Sequence, residues 1–255
     1  EDPKGNLWVG TRLGGLNRYD PKTGKFTHLL YSSTNSEGIS HNNITALSAD
    51  KDGIWIGTKN GLDYLDYDSQ KIEHYRASSI NPNSLSGNWI SAIIQDANGN
   101  LWVGTQDAGL NFYDKAKNAF FVFKHSDDVF TSISNNRITS ILIDKQGVLW
   151  VGTANGLNTS ESSGRYFTHF SNFPDDSDSL SGSIIYAIYQ DRSLGIWIGT
   201  NNGLNRYDPQ RQGFVRHNHQ PTTPNSLAND TVISIFEDSS NVLWVGTDGG
   251  GLSKY

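Results

Sequence analysis

The sequence predicts an all-β fold, a β-propeller built from four-stranded antiparallel blades, and three observations carry that expectation. A tryptophan recurs at Trp8, Trp55, Trp102, Trp150, Trp197 and Trp244, each inside the pentapeptide [LI]-W-[VI]-G-T and each 47 or 48 residues after the last. Around it runs a longer pattern, D-x-x-G-x-L-W-V-G-T-x-x-G-L-x-x-Y-D, in which Gly, Asn and Asp punctuate short apolar runs. No segment has the length and amphipathic spacing of a helix. A period of about 40 to 50 residues with four strands per unit is a propeller signature, because one blade cannot bury its own faces and must stack on its neighbours.

Taking the strands of a unit as A to D, strand A is expected at Ile44 to Leu47, Ile90 to Ile94, Ile138 to Ile143, Ile185 to Tyr189 and Val232 to Phe236. Strand B is the tryptophan pentapeptide and strand C the G-L-x-x-Y-D run. Strand D is an apolar stretch such as Phe26 to Tyr31, Phe120 to Phe123 or Tyr166 to Phe170. Both faces of strand B are apolar, so the six tryptophans are read as core sandwiched between blades. The blades are expected at 39–84, 85–132, 133–179 and 180–226, with partial blades at 1–38 and 227–255. The chain then opens at a strand B and stops after a strand C, which leaves two strands over from five neat blades. An incomplete segment of a larger ring fits that count; so do a six-position ring with one gapped blade and closure through a second copy. The start, Glu-Asp-Pro-Lys-Gly, is neither a signal peptide nor an initiator methionine, and the chain is read as a piece of something longer.

Composition removes whole classes of function. The 255 residues carry a net charge of −6 with 20 Lys and Arg spread thinly, which offers no basic stripe for nucleic acid. Zero Cys excludes disulfides, thiolate metal sites and cysteine nucleophiles. His28, His74, His125, His169 and His217 fall near strand D of successive repeats, where they cannot converge on one ion. Asp50, Asp96, Asp144, Asp191 and Asp238 close strand A and are read as turn caps accepting backbone N–H groups. Gly249-Gly250-Gly251 is a permissive turn, since no Lys-Ser/Thr and no helix follows it. No catalytic set, metal or cofactor is expected.

Candidate binding residues come instead from where the repeats differ. Antiparallel order puts the D–A and B–C loops on one rim. The position before strand A reads Asn43, Trp89, Arg137, Ile184 and Thr231; the B–C position reads Arg12, Lys59, Gln106 with Asp107, Asn155, Asn201 with Asn202, and Asp248. Such positions are either solvated loop or recognition surface. Trp89 is the one tryptophan outside the motif, and its flat face would suit a sugar ring with Arg137 and His41 as donors; packing beneath its own loop is the other reading.

The stretch Asn83 to Asp114, N-S-L-S-G-N-W-I-S-A-I-I-Q-D-A-N-G-N-L-W-V-G-T-Q-D-A-G-L-N-F-Y-D, resembles the two-component regulator propeller repeat, and the resemblance runs through essentially the whole chain. It implies a segment of a seven-bladed ring in the periplasmic sensor portion of a membrane-anchored receptor ending in a histidine kinase, a hybrid kinase or a diguanylate cyclase. The function so implied is non-catalytic sensing of a small molecule, oligosaccharides included, with dimer formation as the signalling geometry. A structural or protein-interaction propeller is the alternative. A streptogramin B lyase-like enzyme, whose repeats also carry Asp-Gly-Asn-Leu-Trp turns, is a third.

Overall fold

The computed structural model describes residues 1–34, 37–160 and 166–255. Among them every regular element is a strand, and the strands form six antiparallel meanders. Sheet 1 holds β1 (Leu7–Gly10), β2 (Leu16–Asp20) and β3 (Lys25–Leu29). Sheet 2 holds β4 (Ile44–Ala49), β5 (Gly53–Thr58), β6 (Gly61–Asp66) and β7 (Ile72–Tyr75). Sheet 3 holds β8 (Ile90–Gln95), β9 (Leu101–Thr105), β10 (Leu110–Asp114) and β11 (Ala119–Phe123). Sheet 4 holds β12 (Ile138–Ile143), β13 (Leu149–Thr153), β14 (Gly156–Ser160) and β15 (Thr168–Phe170). Sheet 5 holds β16 (Ile185–Gln190), β17 (Ile196–Thr200), β18 (Gly203–Asp208) and β19 (Gly213–His217). Sheet 6 holds β20 (Val232–Glu237), β21 (Leu243–Thr247) and β22 (Gly251–Lys254). These are propeller blades, with sheet 1 lacking strand A and sheet 6 lacking strand D.

The chain divides into two compact units, Glu1–Phe123 and Lys124–Tyr255. In the first, sheet 2 packs on sheets 1 and 3. Trp55 joins Ile90, Leu101, Val103, Tyr113 and Phe120 of sheet 3 in one core, while Ile54, Ile56 and Leu65 meet Leu16 of sheet 1 in another. The tryptophan face of strand B therefore looks at the following sheet and the Leu/Val face at the preceding one. The second unit repeats the arrangement: Trp150 packs with Ile196, Ile198 and Phe214 of sheet 5, and Trp197 with Leu243 and Val245 of sheet 6. Trp55, Trp102, Trp150 and Trp197 are buried, whereas Trp8 and Trp244, in the three-stranded sheets, are only half-buried.

Within each unit, a glycine two residues after the tryptophan sets how closely neighbouring sheets approach. A Cβ on Gly57 would lie 2.7 Å from Ile90, and one on Gly199 would lie 2.7 Å from Val232, so the first residue of the next strand A fills the space a side chain would need. Strand A itself is bulged at its second residue in all five sheets that possess one, for example between Ile90 and Ala92.

Candidate functional site

The loop rim is assembled from three elements of the repeat, each with its own hydrogen bonds. The Thr that ends the pentapeptide builds the B–C turn: Thr58 Oγ1 donates to the Gly61 carbonyl (2.9 Å) and accepts the Asn60 N–H (2.9 Å). Thr153 and Thr200 do the same. The Ser of the D–A lead locks onto the Asn of strand C. Asn111 Oδ1 accepts the Ser86 N–H (2.9 Å) and its amide donates to Ser86 Oγ and the Val103 carbonyl. Asn158 with Ser134 and Asn205 with Ser181 repeat that set.

The two variable positions are then joined directly. In every sheet that has a strand A, the first residue of the B–C loop donates its backbone N–H to the carbonyl of the residue before that strand: Lys59 to Asn43 (3.3 Å), Gln106 to Trp89 (2.9 Å), Ala154 to Arg137 (3.0 Å), Asn201 to Ile184 (3.1 Å) and Asp248 to Thr231 (2.8 Å). These bonds run from backbone to backbone, so they ask for no particular side chain at either position. Neighbouring sheets are stitched at the same level, as where Gly61 donates to the Asn88 carbonyl (2.7 Å) and Gly203 to that of Asp230 (2.6 Å).

Within the first unit this brings Lys59 of sheet 2 onto Trp89 of sheet 3, the ammonium 4.3 Å from the ring centre. Trp89 is 41% exposed, so the ring stands on the surface with a cation against one face. Lys59 and Arg12 are in no ion pair among the described residues, and Asp107 lies one residue beyond Gln106 on the same loop. Asn43 is buried and donates its N–H to His41 Nδ1 (2.8 Å), which makes His41 an acceptor for its own turn. In the second unit Arg137 donates its N–H to Asn135 (2.8 Å), and Asn202 spends its amide on the Ser181 carbonyl (2.8 Å). Asp248 sits on the corresponding loop of sheet 6. The register corrects one alignment: in sheet 4 the position equivalent to Lys59 is Ala154, because Asn155 bonds Thr153 Oγ1 as Asn60 bonds Thr58.

The strand D histidines each have a local partner. His28 meets Asn17 Oδ1 (2.6 Å), His125 the Ile133 carbonyl (2.8 Å), and His169 the Ser132 carbonyl. His217 packs against Trp197 and Tyr255; burial, with the nearby Arg206 charge, holds its pKa below the usual histidine value. His74 belongs to a polar cluster that resembles a reactive set. In sheet 2 the strand C Asn becomes Asp63, fully buried, whose carboxylate accepts the Ser40 N–H (2.7 Å), the Ser40 hydroxyl and His74 Nδ1 (2.7 Å). Ser40 Oγ lies 3.1 Å from that same Nδ1. A nucleophilic triad needs serine and carboxylate on opposite ring nitrogens, so this cluster is a variant of the Ser-Asn lock.

The Asp residues that close strand A do cap the turn. Asp144 Oδ1 accepts the N–H groups of Gln146 (3.0 Å) and Val148 (2.8 Å). In four sheets the second oxygen has a role the sequence reading missed: it accepts the tryptophan indole N–H, at 2.8 Å for Asp144 to Trp150, Asp191 to Trp197 and Asp238 to Trp244, and 3.0 Å for Asp2 to Trp8, whereas that of Asp96 takes the Asn100 amide (3.1 Å). The Trp244 indole and the Val242 N–H hold the Asp238 carboxyl below the usual carboxylate range. A constant Asp-to-Trp interval of six residues was the available signal. Sheet 2 breaks it with five, from Asp50 to Trp55; there the indole N–H has no partner, and Asp50 takes the Tyr64 hydroxyl (3.2 Å) and the Gln95 amide (3.3 Å) instead.

Comparison with known proteins accords with this architecture. The family described as two component regulator propeller matches at residues 38–60, 84–107, 132–155 and 226–249. No curated protein matches the chain. Among solved structures, the extracellular domain of a putative hybrid two component system of B. thetaiotaomicron is 27% identical, with a TM-score of 0.83, over 99% of this chain and 32% of that one. A second such domain from the same organism is 23% identical, with a TM-score of 0.70, over 100% of this chain and 37% of that one. The chain thus spans about a third of the length of these relatives. Virginiamycin B lyase from Staphylococcus aureus is 15% identical, with a TM-score of 0.67, over 100% of this chain and 81% of that one, a likeness of fold alone. The D–A lead, the Asp-capped turn and the tryptophan strand recur in each matched stretch, so the chain carries four copies of the two-component regulator propeller repeat.

Proposed function

We propose that the chain is part of the extracytoplasmic sensory portion of a bacterial two-component-type receptor, lying in the periplasm as the sensor part of an inner-membrane protein. It binds a small molecule at the D–A/B–C rim, with oligosaccharides the first class to test. The segment is non-catalytic: it carries repeats of the regulator propeller family, and its likeness to a lyase goes no further than the fold.

The observation that carries the binding reading is the Lys59–Trp89 pair. The repeat fixes both backbones through bonds common to every blade, while the two side chains, found in this combination nowhere else in the chain, form a raised aromatic platform with a cation on it. A saccharide stacking on such a face gains from burying its apolar C–H surface and from donors at the ring edge. Binding signals only through different affinities for two arrangements of the receptor, so the rim acts by favouring one arrangement over another.

A thermal-shift and calorimetric screen of oligosaccharides tests this, with Trp89→Ala as the control. A saturable shift that disappears in the variant supports the rim site. A folded chain that answers to no saccharide, or a shift untouched by Trp89→Ala, rejects it and leaves a scaffold.

A further inference from the structure

In four sheets the motif tryptophan is covered by a long side chain directly across from it on strand C. Arg18 lies over Trp8 at 5.9 Å, Tyr64 against Trp55 at 4.7 Å, Phe112 against Trp102 at 4.8 Å and Arg206 over Trp197 at 5.5 Å. Opposite Trp150 stands Thr159, which ends at its γ atoms, and the buried Trp150 ring is packed instead by Phe170 at 6.5 Å and Tyr207 at 5.2 Å. A cleft of about 560 Å³ opens there between sheets 4 and 5. The corresponding cleft between sheets 5 and 6, lined by Arg206, holds about 340 Å³.

A second departure from the repeat meets the first. The fourth residue of the D-x-x-G turn is Gly5, Gly99 or Gly147 at φ of 84°, 79° and 83°, and Asn241 at 61°. In sheet 5 it is Leu194, at φ 69°, 46% exposed and on the lip of the cleft. The left-handed region costs a branched side chain roughly 1 to 2 kcal/mol. An exposed leucine recovers none of that from water, but it does from an apolar molecule seated against it.

The walls decide what such a molecule is. Val148, Trp150, Phe170, Leu194, Ile196 and Tyr207 make them chiefly apolar. The single carboxylate among the lining residues, Asp144, has its oxygens engaged by two backbone N–H groups and the Trp150 indole. Arg206 also lines this cleft, but its guanidinium is committed to the Trp197 ring at 5.5 Å. A charged ligand would leave water for a site whose two charged groups are already committed, and the hydroxyls of a sugar would outnumber the polar side chains Gln146, Thr159 and Ser193 and the Tyr207 hydroxyl. The volume suits a small ligand. We propose that the cleft beside Trp150, between sheets 4 and 5, is a binding site for a neutral, planar aromatic small molecule, separate from the loop rim.

Calorimetry with 2-naphthol on the whole chain tests the site. Saturable binding is expected, at least tenfold weaker for the anionic 2-naphthoate and unchanged by Trp89→Ala. Thr159→Phe installs the cover that sheet 3 carries at this position, and should fold normally while weakening 2-naphthol at least tenfold. Leu194→Gly removes the lip and relieves the backbone; it should raise the melting temperature and weaken binding. No saturable 2-naphthol binding, equal affinity for 2-naphthoate, or undiminished affinity in both variants would overturn the proposal.

Discussion

The indole N–H of the motif tryptophan shows how one residue's count in a turn decides a bond. A six-residue interval lets the capping aspartate reach back to the indole, and the five-residue interval of sheet 2 leaves Trp55 Nε1 buried and unpaired. Trp150→Phe strands one oxygen of Asp144, whereas Trp55→Phe removes an unsatisfied donor. Denaturant unfolding should therefore show the first substitution more destabilising than the second by about 1 to 2 kcal/mol. Asp144→Ala removes two turn bonds and the indole acceptor together, and should cost about 2 to 4 kcal/mol. His217 gives a pH dependence of definite sign. Burial and Arg206 lower its pKa in the folded chain, so the unfolded chain binds the proton more readily. Its contribution is complete above the ordinary histidine value of 6.5 and is lost as pH falls from there through the folded pKa. Melting temperatures between pH 7.5 and 5 should decline less steeply for His217→Gln than for the parent chain.

At the scale of strands and turns, glycines that look alike in the sequence do different work. Gly57 has ordinary φ but no room, since a methyl group would collide with Ile90; Gly99 has open space but φ of 79°. Gly57→Ala should cost about 1 to 3 kcal/mol by overpacking, and Gly99→Ala about 1 kcal/mol by backbone strain. Ile90→Ala removes the Cγ2 that a methyl group on Gly57 would strike, so Gly57→Ala with Ile90→Ala should cost less than the sum of the two single losses, whereas Gly99→Ala with Ile90→Ala should cost that sum, as stability measurements on the two double variants would reveal. The strands were legible because their spacing is a property of the chain alone. Strand A ran one or two residues past its expected end in sheets 2, 3, 5 and 6, where Ser48, Gln95, Gln190 and Glu237 continue the ladder as polar residues that apolar patterning does not count. The joining of the two variable loop positions was legible from antiparallel order. The resting of Lys59 on Trp89 was not, because it crosses from one sheet to the next and depends on how far the Gly–Ile contact lets them approach. Thr159 was visible in the sequence, yet its meaning required knowing that strand C places that residue opposite the tryptophan.

For the molecule as a whole, the important surfaces are the two apolar faces that this chain does not cover. Leu7 and Val9 of sheet 1 are 44% and 45% exposed, although their counterparts Leu101 and Val103 are fully buried. On sheet 6, Phe236 and Leu252 share the exposed face with Trp244. Apolar faces and free strand edges of this kind favour association. Light scattering should show a mass that rises with concentration, and Val9→Glu or Leu252→Lys should each suppress the rise. Within each unit the contact between sheets has a direction, since a tryptophan–glycine face meets the leading Ile/Val face of the next sheet. Two copies joined through these surfaces would be related head to tail rather than by a twofold axis. Each addition would regenerate the face it consumed, so the products would be a ladder of sizes or a closed circle of copies, and one capped chain would terminate growth from one end only.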